Sequence, residues 1–148
     1  MVKETLRLRP VVPAVLRRLK APFDIAGYEL PAGVCVQPNI LLMHTREDIY
    51  PDPFAFRPER FLETPAGTYT WIPFGGGVRR CLGASFAIFE MKAVLRAVTQ
   101  SIDSLSPVGD SERPSRRAVT LVPAKDATIS VARRAEPARR EPPVPTGR

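Results

Sequence analysis

The chain has 148 residues, enough for one domain, and 44% of them are hydrophobic, which is ordinary for a globular protein. Its net charge is +7, but no run collects the basic residues, so the composition does not favour a nucleic-acid-binding protein. Cys35 and Cys81 lie too far apart for a CxxC motif, and two cysteines are too few for a disulfide framework. No apolar stretch approaches the roughly 20 residues of a membrane span. We therefore expect a cytoplasmic protein with no membrane span and no nucleic-acid partner.

The first third of the sequence predicts one helix followed by short strands. Residues 2–9 are good helix formers and stop at Pro10, because the residue before a proline is pushed out of the helical region. This helix starts at the first residue without a capping residue, so we expect the chain to be truncated on its N-terminal side. Short strands are expected over 14–19, 23–30 and 33–37, and Asn39 is placed to cap a short helix over 40–44.

The middle of the sequence predicts a long loop and then a long helix. Residues 45–80 are rich in proline and glycine and show no periodicity. A loop of this length is normally functional or disordered, and its many aromatic residues favour an ordered one. Apolar residues at helical spacing predict a helix over 82–100.

The end of the sequence predicts a hairpin and a tail. Alternating apolar residues predict a strand over 118–124 that pairs with a second strand over 127–132. The Pro/Arg-rich segment 134–148 has too few apolar residues to contribute to a core, so we expect it to be a disordered tail. This division leaves residues 1–133 as the domain.

The residues just before the long helix include a cysteine that is a candidate metal ligand. The run from Phe74 to Gly83 reads FGGGVRRCLG, with Cys81 at the point where the helix begins. The unpaired N–H groups and the dipole of a helix N-terminus favour thiolate over thiol, and thiolate is the form that binds metal. The run resembles the cytochrome P450 haem-binding signature F-G-x-G-x-R-x-C-x-G, and every fixed position is matched: Phe74, Gly75, Gly77, Arg79, Cys81 and Gly83.

Two further segments carry the same resemblance. Glu4 and Arg7 reproduce the E-x-x-R motif of the family, at a spacing that places both side chains on one helix face. An isolated pair of this kind is usually a solvated helix face, so the motif has weight only together with the cysteine motif. Residues 56–61, FRPERF, match the family's F-x-P-E-R-F segment. In the family an arginine of this segment joins the E-x-x-R pair, and Arg60 is the better candidate than Arg57.

The resemblance implies a fold, a cofactor and a reaction. The fold would be α+β, mainly α: the C-terminal haem-binding part of the cytochrome P450 fold. Cys81 would be the catalytic residue and the metal ligand of haem b (iron protoporphyrin IX). The haem contacts would come from Phe74, Gly75, Gly77, Arg79 and Gly83, with Arg17 as a weaker candidate for a propionate, and Glu4, Arg7 and Arg60 would have structural roles. The reaction would insert one oxygen atom of O₂ into a small hydrophobic organic substrate, with NAD(P)H-derived electrons delivered by an external ferredoxin or reductase.

Some hypotheses stay open on the sequence alone. The oxygen-activating helix of the family precedes the E-x-x-R helix, so we expect this chain to act as part of a longer or split enzyme. The alternative is a non-catalytic remnant that binds haem weakly or not at all, and a small basic binding protein is a distant third. His44, the only histidine, is expected to serve packing or hydrogen bonding, and Cys35 to behave as a small hydrophobic residue.

Overall fold

A computed structural model describes residues 1–110 and 112–133 of the chain. Four α-helices occur in these ranges: α1 (Val2–Leu8), α2 (Ile40–His44), α3 (Arg60–Glu63) and α4 (Ala84–Ser101). A 3₁₀ turn over Gly77–Arg79 precedes α4. None of the helices in the described ranges is both long and apolar enough to cross a bilayer.

The strands form four small antiparallel sheets of two strands each. The pairs are β1 (Arg17–Arg18) with β4 (Cys35–Val36), β2 (Phe23–Ile25) with β3 (Tyr28–Leu30), β5 (Ile102–Pro107) with β8 (Ile129–Arg133), and β6 (Pro114–Arg117) with β7 (Thr120–Pro123). The first two sheets lie between α1 and α2 in sequence, and the last two follow α4.

The predicted helices are confirmed with small shifts in their ends. The first helix ends at Leu8, shortly before Pro10, and α4 begins at Ala84, two residues later than expected. Asn39 caps α2, and its side-chain oxygen accepts a hydrogen bond of 2.9 Å from the Leu42 N–H. This bond satisfies one of the N–H groups that a helix start leaves free.

The predicted C-terminal hairpin is wrong in its pairing. The strand near 118–124 pairs with β6, and the strand near 127–132 pairs with β5, which follows α4 directly. Alternation of apolar residues locates a strand that has a buried face, but it does not identify the partner strand. The partners β5 and β6 are rich in serine, proline, arginine and aspartate, which have low strand propensity, so no sequence pattern predicts them. The expected disordered tail, 134–148, lies outside the described residues.

The core lies where α1, α2 and the loop 45–80 meet. Its apolar members include Leu6, Ile40 and Tyr50, and next to them Glu4, Arg7 and His44 are also fully buried. Buried charged side chains need paired partners, so this polar cluster must supply its own hydrogen bonds.

One face of α4 is not covered by the described residues. Phe86 and Phe89 are 67% and 69% exposed, and only Ala84 of this helix is buried. Cys35 is exposed as well, so the expectation that it behaves as a small hydrophobic residue in an apolar strand is not met.

Candidate functional site

The loop that carries Cys81 is closed by backbone hydrogen bonds. The Cys81 N–H donates to the Phe74 carbonyl oxygen at 2.9 Å, and the Cys81 carbonyl oxygen accepts from the Ala84 N–H at 3.4 Å. Gly75 and Gly77 have φ of 72° and 62°, in the left-handed region that favours glycine. These two glycines let the chain reverse tightly, so that Cys81 arrives directly before α4.

Gly83 has a different reason for being glycine. Its φ is −80°, which any residue adopts, so no backbone strain selects it. A Cβ atom added at Gly83 would lie 3.9 Å from Cys81 Sγ, which is an ordinary contact distance. Gly83 therefore leaves the space beside the sulfur free of a side chain.

An open cavity of about 470 Å³ brings most of the predicted site residues together. Cys81, Arg79, Arg17, Phe74 and Gly75 line this cavity, which we call the cysteine cavity. The remaining wall is apolar and consists of Leu6, Val11, Val12, Val15, Ile40 and Pro73. The predicted residues Gly77 and Gly83 do not line it: Gly77 acts on the shape of the loop, and Gly83 leaves space beside the sulfur.

The donor set of the cysteine cavity fits a metal that is held inside a large apolar group. Within the described residues no three His, Cys, Asp or Glu side chains come together, so Cys81 offers a single thiolate. One thiolate does not complete the coordination of a bare ion. Apolar walls around one thiol, with the two arginines Arg17 and Arg79 on the same cavity, suit a flat apolar prosthetic group with an anionic edge.

A buried ionic cluster lies behind the loop. Glu4 accepts two hydrogen bonds from Arg7, at 2.7 Å from Nε and 2.8 Å from Nη2, and one from Arg60 Nε at 3.2 Å. A fourth bond, of 3.0 Å, comes from the Arg57 N–H. The Arg57 guanidinium points instead to Asp52, at 3.5 Å. The structure thus places Arg60, and not the Arg57 side chain, against the Glu4–Arg7 pair.

The pKa of Glu4 shows that this cluster stabilises the carboxylate. Burial alone raises the pKa of Glu4. The hydrogen bonds from Arg7 and from the Arg57 N–H, together with the charges of Arg7 and Arg60, outweigh burial and lower the pKa below its usual 4.5. The carboxylate therefore stays charged and fixes both arginines.

Arg7 extends the cluster to the rest of the core. Its Nη1 donates to the His44 carbonyl oxygen at 2.7 Å, and its Nη2 donates to the Ala55 carbonyl oxygen at 3.3 Å. Its guanidinium also lies 5.0 Å from the centroid of the Tyr50 ring, a cation–π distance. One arginine thus connects α1, α2 and the loop 45–80.

Sequence reasoning missed three contacts that involve the start of the cysteine loop. Tyr50 Oη donates to the Thr70 carbonyl oxygen, Trp71 Nε1 donates to the Lys3 carbonyl oxygen, and the Ile72 N–H donates to His44 Nε2. The single histidine in a short apolar helix was the one signal available, and it predicts hydrogen bonding without naming the partner.

Comparison with known proteins identifies the family. Residues 1–131 match the family model described as Cytochrome P450. The chain belongs to the cytochrome P450 family. This family consists of haem-thiolate monooxygenases, which generally act on organic substrates with the help of redox partners.

Individual relatives agree with this assignment. The chain is 47% identical over 131 residues to cytochrome P450 135B1 of Mycobacterium tuberculosis, strain H37Rv. The matched region covers 88% of this chain and 28% of that protein. It is 39% identical over 129 residues to cytochrome P450 137 of the same strain, covering 87% of this chain and 27% of that protein. The chain thus spans just over a quarter of the length of the curated relatives it matches.

Solved structures confirm the predicted fold class. A retinoic-acid-bound cyanobacterial P450, CYP120A1, matches with a TM-score of 0.80 and 31% identity over 89% of this chain and 32% of its own. A second P450, CYP102L1, gives 0.76 and 31% identity over 90% of this chain and 30% of its own. The described residues therefore form part of the cytochrome P450 fold.

Proposed function

We propose that this chain is the haem-thiolate portion of a cytochrome P450 monooxygenase, and that Cys81 is the protein ligand of a haem b iron. The cysteine cavity carries the proposal, because it holds one thiol, two guanidinium groups and apolar walls in a single space of about 470 Å³. When bound, the haem supplies the activation of O₂ through which one oxygen atom enters an organic substrate.

The residues of this chain would have distinct roles towards that group. Cys81 would supply the thiolate, and it lies just before the N-terminus of helix α4. Arg79 and Arg17 line the same cavity and are the partners for the two propionates. Phe74 and Gly75 contribute wall, Gly77 shapes the turn, and Gly83 leaves room beside the sulfur.

The ionic cluster would hold the cysteine loop in place. Glu4, Arg7 and Arg60 join α1 to the segment that follows α2, and they are buried or nearly so. Because both oxygens of the Glu4 carboxylate accept hydrogen bonds, shifting this segment would leave a buried charge without its partners. The roles assigned to these three residues are thus structural.

The proposal includes partners. A second cavity, of about 560 Å³, has Lys3 and Arg80 in its lining, with the glycines 75–77 and Trp71 between them. Two cations beside the cysteine loop suit an acidic electron donor, such as a ferredoxin or reductase that passes on NAD(P)H-derived electrons. The substrate would be a small hydrophobic organic molecule. A cytoplasmic location is favoured by the two free cysteines, Cys35 and Cys81.

A second candidate is a non-catalytic chain that binds haem weakly or not at all. The exposure of Phe86 and Phe89 on α4 favours it, since these side chains lack a covering surface within the described residues.

A carbon-monoxide difference spectrum of the purified, dithionite-reduced chain separates the two candidates. A strongly red-shifted Soret band in the parent and in Cys35→Ser, lost in Cys81→Ser, would support Cys81 as the thiolate ligand. Cys35→Ser is the matched control, because it removes the other exposed thiol. A red-shifted band that persists in Cys81→Ser would refute the ligand assignment. No haem in any variant would favour the non-catalytic candidate.

A further inference from the structure

Three consecutive residues, 70–72, lead into the cysteine loop, and each is tied to a different part of the molecule. The hydrogen bonds join Tyr50 Oη to Thr70 O at 3.0 Å, Trp71 Nε1 to Lys3 O at 3.0 Å, and Ile72 N to His44 Nε2 at 2.9 Å. Two of these bonds hold a carbonyl oxygen or a side chain. Of these three bonds, only the one to His44 is donated by a backbone N–H of the segment itself.

The chemistry of that bond fixes the state of the His44 ring. The Ile72 N–H can only donate, so His44 Nε2 must be the unprotonated nitrogen. The ring proton is then on Nδ1, which lies 3.1 Å from the Arg7 carbonyl oxygen and donates to it. The side chain is fully buried, and burial lowers the pKa of His44 to about 4, so the ring is neutral near neutral pH. Each ring nitrogen therefore has one partner, and the two partners lie on different segments.

His44 and Arg7 are joined a second time in the opposite sense. Arg7 Nη1 donates to the His44 carbonyl oxygen at 2.7 Å, while the His44 ring donates to the Arg7 carbonyl oxygen. Arg7 is itself fixed by Glu4. The ring is therefore held against α1 independently of Ile72, and it presents Nε2 as an acceptor in a defined position.

The position of Ile72 is passed on to Cys81 through a short stretch of backbone. The Ile72 carbonyl oxygen accepts from the Gly75 N–H at 2.9 Å, and the Phe74 carbonyl oxygen accepts from the Cys81 N–H at 2.9 Å. Pro73, which lies between Ile72 and Phe74, is buried and restricts the backbone there. The nitrogen that His44 holds and the carbonyl group that holds Cys81 thus lie within three consecutive residues, 72–74.

We propose that His44 is a positioning residue for Cys81. By accepting the Ile72 N–H, it sets the direction of residues 72–74 and so the place of the Cys81 backbone. The inference rests on the proposed function, in which Cys81 is the haem ligand. His44 touches neither the thiol nor the cysteine cavity and acts only through Ile72.

Two substitutions separate the two nitrogens of the ring. In His44→Gln the amide oxygen extends to the place of Nε2 and can accept from Ile72. In His44→Asn the shorter amide stays near the place of Nδ1, so the link to Arg7 can form while the link to Ile72 is lost. Both variants remove the ring, and each keeps one of its two links: His44→Gln the link to Ile72, His44→Asn the link to Arg7. Faster exchange at Ile72 and Cys81 in His44→Asn than in His44→Gln reports the Ile72 bond, because loss of the Arg7 link would act in the opposite direction.

Amide hydrogen exchange on the full chain without haem provides the readout. We expect His44→Asn to speed exchange of the Ile72 and Cys81 amides by about tenfold relative to His44→Gln, at similar unfolding free energies in urea, because one hydrogen bond is lost locally. Faster exchange at Ile72 with unchanged exchange at Cys81 would overturn the proposal, and so would equal exchange in the two variants.

A measurement on the unaltered chain tests the proposal even where the variants do not fold. A scalar coupling across the hydrogen bond between Ile72 N and His44 Nε2, in ¹⁵N-labelled protein, is expected near neutral pH. Its absence would overturn the proposal. None of these readouts needs haem, so a carbon-monoxide spectrum without haem would count against the proposed function and leave the positioning result to be decided on its own.

Discussion

Substituting Glu4 by glutamine removes one charge from a fully buried site and leaves its shape almost unchanged. In the parent chain the carboxylate accepts four hydrogen bonds, two of them from Arg7 and one each from Arg60 and the Arg57 N–H. A glutamine keeps one acceptor oxygen and turns an NH₂ group towards a donor. The Arg7 guanidinium, which is 0% exposed, then loses its counter-charge.

The size of the effect follows from that orphaned charge. Removing one partner of a buried ion pair costs about 3–5 kcal/mol, because the other charge stays desolvated. Arg60 adds less, since its side chain is 11% exposed and its bond is longer. We expect Glu4→Gln to lower the free energy of unfolding by about 3 kcal/mol. Acid should have the same effect on the parent: the pKa of Glu4 is lowered, so this stability is present above pH 4.5 and is lost as the pH falls through the lower folded-state value.

Urea unfolding followed by tryptophan fluorescence measures the loss. The only tryptophan, Trp71, donates to the Lys3 carbonyl oxygen, so its emission reports the contact between α1 and the cysteine loop. The matched control is Glu90→Gln on the exposed side of α4, expected to lie within about 0.5 kcal/mol of the parent. A Glu4→Gln chain as stable as the Glu90→Gln chain would refute the reasoning, because it would show that Arg7 does not depend on this carboxylate.

Three further outcomes are expected. Gly75→Ala should lower the free energy of unfolding, measured in urea, by about 1 kcal/mol, because the φ of Gly75 is 72°. Gly76 has a φ of −149°, so Gly76→Ala is the control and should change this free energy little; equal effects of the two substitutions would contradict the backbone argument. Arg79→Gln should weaken haem binding about tenfold in a haem titration. Arg80→Gln is the control, since Arg79 lines the cysteine cavity and Arg80 does not. The free energy of unfolding of the parent should rise by about 3 kcal/mol between pH 4 and 6.5. The pKa of buried His44 is lowered to about 4, so over this range the unfolded chain binds a proton that the folded chain does not. A series of urea unfolding curves at different pH that shows no change would exclude this.

The parts of the fold that depend on local chemistry could be predicted from the sequence. Asn39 before an apolar run predicts a cap, and the structure shows its bond to Leu42. The spacing of Phe86, Phe89 and Ala93 predicts α4 as a helix, although the face that carries the two phenylalanines is exposed in the described residues. Periodicity identifies an apolar face but does not say which surface covers it.

The parts that depend on distant residues could not be predicted. The pairing of β5 with β8 joins segments separated by two other strands, and β5 itself contains serine, aspartate and proline. The hydrogen bond from the Arg57 backbone to Glu4 leaves no trace in the sequence, because every residue except proline carries an N–H. Motif spacing brought Arg79 and Cys81 to one cavity, but the presence of Arg17 there depends on how β1 follows α1.

The hydrogen bonds around residues 70–72 also bear on how the chain folds. The Trp71 side chain reaches a residue 68 positions earlier, and the Arg60–Glu4 contact spans 56 positions. Contacts of such long sequence separation require large loops to close before they contribute, which slows folding at a given stability. We therefore expect the cysteine loop to acquire its shape after α1 and α2 have met, and its folding rate to depend on contacts with the N-terminal helix α1.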